Sequence, residues 1–223
     1  MSLSRIYLLS PARCDGKRAA LLLNPRADFA LARQLRHPNG APIGDVFSFL
    51  SGLYFRGKLG YARAFAMEIG GFLPIMVITT SRGLLAPEER IRPDDLLEFA
   101  GVDIGAGDAR YLNPLKRDIA KLDQSIGPGT LVVLLGSIAT GKYVDALIEV
   151  FGERLVFPID FVGRGDMSRG GLLLRQAREA RELTYAPVAG AVRHGQRPPK
   201  LERLVRTRNQ ETGTRNEEAE TSD

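Results

Sequence analysis

The chain has 223 residues, 44% hydrophobic and 26% charged, which suits one α/β domain and excludes a fibrous or low-complexity protein. A net charge of +5 suits either an anionic partner, with nucleic acid foremost, or a modestly basic protein with no such partner. No apolar run approaches the ~20 residues of a membrane span, and no signal peptide is read at Met1. The single cysteine, Cys14, leaves no partner for an intrachain disulfide, so a reducing cytoplasm is the expected compartment.

Residues 4–9 (SRIYLL) read as a first strand, which ends in the loop SPARCDGKR at 10–18. Helices are expected over 18–23 and 27–35, followed by a turn-rich connection, HPNGAPIG, at 37–44. Asp45 is placed to cap the next helix. Residues 46–66 interleave aromatic residues with cations, and Gly57 and Gly60 predict a helix, a break and a second helix. A second strand over 72–80 (FLPIMVITT) ends in the turn TTSRG. Residues 87–100 predict a turn and a short helix starting at Pro93, with Asp94 and Asp95 in its first turn. Residues 102–104 lie in a Gly-flanked connector, and an amphipathic helix covers 113–126.

The stretch TLVVLLGSIATGKY at 130–143 then reads as strand, Gly-rich loop and helix start. A fourth strand, RLVF at 154–157, leads to the loop GRGDMSRGG at 163–171 and a helix over 172–183. Residues 184 onward look extended, and 208–223 are nearly free of apolar residues, so a single domain at 1–207 and a disordered polar tail are expected.

Strands alternating with helices give an α/β fold with a mostly parallel central sheet flanked by helices. Parallel strands would bring the loops at 10–18, 79–83, 137–143 and 163–171 to one edge of that sheet. There α/β proteins bind ligands.

Three loops carry chemistry. Gly136 to Lys142 spells GxxxxGK, a phosphate-binding signature. That signature needs Ser or Thr after the lysine to hold magnesium, but Tyr143 stands there, and no strand ending in an acidic partner is evident. The loop therefore reads either as a nucleotide site, as a helix N-terminus holding a phosphate or a base edge (with Gly136, Ser137 and Lys142), or as a plain strand-to-helix turn. The first loop sets Cys14 among Arg13, Lys17 and Arg18, cations that could activate a thiol, although neither His37 nor His194 is an obvious partner. Arg164 and Arg169 with the amides of the last loop could grip an anion. Tyr54, Arg56 and Lys58 combine a stacking surface with cations, which suits a nucleotide or equally a helix with a basic outer face. The residue types do not cluster as metal ligands, and no cofactor is expected.

Ordered pieces of the chain resemble a known pattern. These are Leu8 to Cys14, LYFR at 53–56 with Tyr61-Ala62, SRGLLAP at 81–87, LLG at 134–136 with Tyr143, and Phe157-Pro158 before a Gly-rich loop. Together they resemble a bacterial family related to YaaA and to a domain of archaeosine synthase, a group that looks like a relative of the uracil-DNA-glycosylase fold. The resemblance spans residues 6–174 and implies work on nucleic-acid bases. The chain has no GQDPY-like or HPSP-like loop, so a glycosylase mechanism does not carry over by motif.

What the resemblance implies is an N-glycosylase that flips a modified DNA base into a pocket, conceivable in defence against phage with modified DNA. Asp15, after the first strand, is the first choice for the catalytic carboxylate, with Asp103 and Asp166 next. Tyr54 or Tyr143 would stack on the base. Ser10, Arg13, Cys14, Arg18, Arg56, Lys58, Ser81, Arg82, Gly136, Ser137, Lys142, Arg164 and Arg169 would line the substrate site. Lys58 or Lys142 would be the nucleophile if an amine replaces water. The other readings are a nucleotide-binding or nucleotide-hydrolysing protein and a non-catalytic nucleic-acid-binding module.

Overall fold

The N-terminal apolar run becomes the strand around which the sheet is assembled. A computed structural model describes residues 4–68, 73–105 and 107–199. The chain runs β1 (Arg5–Leu9), α1 (Lys17–Leu23), α2 (Ala30–Arg36), β2 (Ala41–Pro42), α3 (Ile43–Ser51), α4 (Leu53–Phe65), β3 (Ile75–Ile78), β4 (Leu84–Leu85) and β5 (Arg90–Ile91). It continues with α5 (Pro93–Ala100), α6 (Ala109–Ser125), β6 (Leu131–Leu135), α7 (Gly141–Phe151), β7 (Leu155–Pro158), α8 (Asp166–Arg178) and β8 (Tyr185–Pro187). The expected tail at 208–223 lies outside the described residues, as does the start of the strand expected from Phe72.

Six strands form one sheet in the order β4-β3-β1-β6-β7-β8, and β2 pairs with β5 in a separate ribbon. β3, β1, β6 and β7 are parallel, while β4 and β8 run antiparallel at the two edges. The expected α/β fold with a mostly parallel central sheet is therefore present. β1 and β6 pair along their full length, Arg5 opposite Leu131 to Leu9 opposite Leu135, and both are buried from their second residue on. Their unbroken apolar runs follow from this, because a central parallel strand is covered on both faces.

The chain leaves β1 toward β3 on one side and leaves β6 toward β7 on the other. Right-handed crossovers in opposite directions put the connecting helices on opposite faces. Accordingly α4 packs on α8, and α6 packs on α7. The point where the connections diverge, between the carboxyl ends of β1 and β6, is the topological switch point of the sheet.

Several boundaries differ from the sequence expectation. The break inside residues 46–66 falls at Gly52, with φ +60°, and α4 runs uninterrupted through Gly57 and Gly60. Gly57 is needed for space: a Cβ there would lie 2.7 Å from the Gly170 carbonyl oxygen, and one on Gly170 would lie 2.6 Å from the Leu53 oxygen. Hence the stretch 166–171 is not a loop: α8 begins at Asp166, and its glycines are the surface on which α4 rests. Asp45 lies inside the first turn of α3 and is not its cap, since that helix starts from Pro42. α6 starts at Ala109, earlier than expected, because the Asp108 carboxylate accepts the Arg110 backbone N–H.

At the amino end of the sheet a polar network ties the last strand to the first. Arg5 donates to both oxygens of Glu182 at 2.6 and 2.7 Å. Tyr7 and Tyr185 donate to Glu182 Oε1, Tyr61 lies 2.7 Å from the Tyr185 hydroxyl, and the Leu183 N–H donates to Tyr61. Since Tyr185 spends its proton on Glu182, Tyr61 donates to Tyr185, and all three phenol protons have acceptors.

Two glycines one turn apart in α4 give opposite expected outcomes. Gly57→Ala drives a methyl into the α8 backbone and should destabilise by about 1–3 kcal/mol or more. At Gly60 a Cβ meets only Leu174 at 3.5 Å, so Gly60→Ala should gain about 0.5–1 kcal/mol from helix propensity alone. Chemical denaturation of both variants measures the difference.

Candidate active site at the carboxyl edge of the sheet

The tight contact between α4 and α8 aims one face of α4 at the end of β1. Tyr54 and Lys58 stand one turn apart on that face. Lys58 is 1% exposed. Its Nζ donates to the Ser10 carbonyl at 2.5 Å and to the Ser10 hydroxyl at 2.9 Å. The rings of Tyr54 and Phe55 lie 4.7 and 4.6 Å from the same nitrogen. Burial lowers the Lys58 pKa to about 7, and only the Asp166 charge opposes it. Near neutral pH the amine is thus divided between its ammonium and free-base forms.

Ser10 extends the β1–β6 ladder by one bond, donating its N–H to the Leu135 carbonyl. Gly136 follows on β6, where a Cβ would lie 2.9 Å from the Ser10 Cβ and 2.8 Å from the Tyr143 oxygen. Tyr143, in the first turn of α7, donates its hydroxyl to the Ser137 carbonyl at 2.9 Å. Burial pushes this phenol's pKa up, and hydrogen bonds to Ser10 and Ser137 pull against it. A polar chain therefore runs from the Lys58 amine through Ser10 and Tyr143 to the Gly136 loop.

α8 closes the cluster. Arg169 donates twice to the Phe161 carbonyl and stacks 5.5 Å from the Phe161 ring. Asp166, in the first turn of α8 and 69% exposed, lies 3.6 Å from Arg169. Its charge also acts on Lys58, Tyr54 and Tyr143, so it links the buried amine to the solvent side.

Eight of the expected residues therefore gather at the switch point: Ser10, Tyr54, Lys58, Gly136, Ser137, Tyr143, Asp166 and Arg169. The others stand outside this cluster. Asp15, the first choice for the carboxylate, forms an exposed pair with Arg13 (2.5 and 3.1 Å), which holds its carboxyl below the usual range. Asp103 accepts the Gly105 N–H in an exposed turn. Cys14 is buried and donates to the Ala12 carbonyl, and burial pushes its thiol up to about 12, the reverse of activation. Arg18 donates to the Phe49 carbonyl at the end of α3. Ser81 and Arg82 are drawn onto α5, where Arg82 pairs with Asp95 and Glu98, and Ser81 donates to Glu98. Arg164 donates to the Asp160 and Pro199 carbonyls and to Ser168. Arg56 and Lys142 are exposed on the first turns of α4 and α7.

The Gly136–Lys142 loop is folded around the Tyr143 hydroxyl, which lies against Gly136 and Ser137 where a phosphate cradle would leave its amides open. This geometry works against a nucleotide-hydrolysing loop. Tyr111, on α6, escaped the sequence reading. It is 1% exposed, and its phenol interacts electrostatically with Tyr143. The signal was faint, a lone tyrosine three residues after the capping Asp108.

Among the described residues no group of three or more His, Cys, Asp or Glu side chains could hold a metal ion, and no helix is long and apolar enough to cross a membrane. Comparison with family models, curated proteins and solved structures finds no match. What the site can do is read from its chemistry: an amine that titrates near neutrality, a serine, several phenols and one carboxylate, set between aromatic faces.

Two outcomes follow. The Lys58 ammonium is disfavoured in the fold, so its burial cost is full below about pH 7 and is relieved as pH rises toward the unfolded value of 10.5. Wild-type stability relative to Lys58→Met should therefore rise across pH 7–9, by up to about 1.4 kcal/mol per pH unit, in denaturant titrations at each pH. Cys14 should resist a thiol-specific reagent at pH 8 in the native protein and react at once in denaturant.

Proposed function

We propose that the protein is a nucleic-acid base-processing enzyme, most concretely a DNA N-glycosylase excising a modified base, with its reaction centre at the switch point between β1 and β6. The observation that carries this reading is the buried Lys58 amine, held by Ser10 between two aromatic rings beneath the first turns of α7 and α8. A water-poor, aromatic-walled site rimmed by helix N-termini suits a ligand that is flat at one end and anionic at the other. A nucleotide turned out of its stack is such a ligand. The resemblance to the YaaA-related family and its uracil-DNA-glycosylase-like fold supports the same reading.

In the reaction, water oxygen bonds to the sugar C1′, the bond from C1′ to the base nitrogen breaks, the base leaves with the electron pair, and the proton given up by the water ends on the departing base. Asp166 takes the role of the carboxylate that orients the water or shields the sugar cation, because it alone of the three candidate aspartates acts on the cluster. Arg56 and Lys142, exposed on helices that border the site, contact backbone phosphates. Phage DNA carrying modified bases is a fitting substrate source, and antiviral defence a fitting setting.

The test is base release. Purified protein is incubated with DNA containing modified cytosines, and abasic sites are counted. Asp166→Asn should slow release by about 10²-fold or more, as for loss of a general acid or base. Asp15→Asn should leave it unchanged. Absence of abasic sites in every modified DNA, with the protein folded, defeats the proposal. Salt-sensitive DNA binding without release would then favour a non-catalytic binding module.

A further inference from the structure

Two phenols beside this cluster have buried hydroxyls with no hydrogen-bond acceptor among the described residues: Tyr54, 6% exposed on α4, and Tyr111, 1% exposed on α6. They approach from opposite faces of the sheet, and each interacts electrostatically with Tyr143 at the switch point. The Arg169 guanidinium beside Tyr54 is itself a donor, so it cannot take the phenol proton. A buried hydroxyl left without an acceptor costs about 1–3 kcal/mol. This fold shows that it can satisfy buried tyrosines, because Tyr7 and Tyr61, and with them the partly buried Tyr185, find acceptors around Glu182.

The Asp166 carboxylate acts on Tyr54 through its charge without accepting its proton, and the other groups around the hydroxyls are donors. Lys58 and Arg169 carry N–H groups, and the Tyr143 proton is spent on the Ser137 carbonyl. A ligand that completes the site must therefore bring acceptors. Ring nitrogens and exocyclic carbonyl oxygens of a nucleobase are such acceptors, and they gain negative charge as the glycosidic bond breaks.

We infer that the hydroxyls of Tyr54 and Tyr111 donate hydrogen bonds to the acceptor edge of the base and hold it as it departs. This rests on the N-glycosylase reading for its catalytic part, but base binding can be measured without catalysis. The two residues sit in the site as orphaned donors because their partner is the substrate. They act only if the base reaches between α4 and α6, with Tyr143 beneath it.

Tyr54→Phe, Tyr111→Phe and the double variant remove the hydroxyls and keep the rings. Binding of free uracil, cytosine, adenine and guanine is followed by saturation-transfer NMR, and thermal stability is measured in parallel. The expected result is that at least one base binds wild type, that each single variant weakens it about 5–10-fold, in keeping with one lost hydrogen bond, and that melting temperatures stay level or rise. Where wild type releases a base from DNA, the single-turnover rate should fall about 10²-fold with each variant, as for the loss of one preorganised donor. Equal base binding by wild type and the double variant overturns the inference and leaves the glycosylase reading standing. Failure of all four bases to bind wild type overturns it too. Abasic-site formation decides the glycosylase reading separately.

Discussion

The backbone contact between Gly57 on α4 and Gly170 on α8 is the constraint on which the candidate site depends. With a Cβ on either residue the helices would have to separate, since it would enter the facing backbone at 2.7 or 2.6 Å. Lys58 follows Gly57, and Arg169 precedes Gly170. The approach that excludes side chains at the glycines thus fixes where the neighbouring cations go. Lys58 is pressed inward until its amine meets Ser10, and Arg169 is turned onto the Phe161 carbonyl. A looser packing would leave room for water around Nζ and return it to an ordinary ammonium. The unusual amine follows from helix packing, without a special partner.

Net positive charge is a poor guide to which cations stand free for an anion. Arg13, Arg82 and Arg110 are committed to carboxylates, and Arg18, Arg164 and Arg169 to backbone carbonyls. Such pairs are worth little to stability when exposed. They do withdraw the guanidinium groups from ligand binding, and this explains why the Arg-rich loops at 10–18 and 79–83 contribute so little to the cluster. Lys58, the cation at the centre of the cluster, is the one least able to stay charged.

The sheet was legible in the sequence because central parallel strands leave unbroken apolar runs, as in YLL and LVVLL, each followed by a Gly- or Ser-rich turn. The common edge of the four loops followed from that grammar. Two-residue strands such as β2, β4 and β5 left no signal, because pairing over so short a length is set by tertiary contacts. Glycine misleads in both directions: Gly57 predicts a break yet is an interhelical contact, and the glycines at 170–171 predict a loop yet lie inside α8. One-dimensional patterns record that a position lacks a side chain and leave the reason to the neighbour that fills the space. The order of preference among the candidate carboxylates turns on neighbours in the same way. Asp15 has the right place in the chain, yet Arg13 two residues away captures it, while Asp166 gains reach over the cluster only because α8 starts there.

The tyrosines sharpen the difference between the two ends of the sheet. At the amino end, one glutamate collects the protons of Tyr7 and Tyr185, Tyr61 feeds Tyr185, and Arg5 balances the charge. That network joins the last strand to the first, and within it all three phenol protons have acceptors. At the carboxyl end, Tyr54 and Tyr111 are as deeply buried, yet their hydroxyls find no acceptor among the described residues. Phenylalanine would fill the same space at lower cost if packing were the only demand. A fold that completes one tyrosine network and leaves the other open keeps its unmet hydrogen bonds where the strands turn into loops, the edge at which α/β sheets meet their ligands.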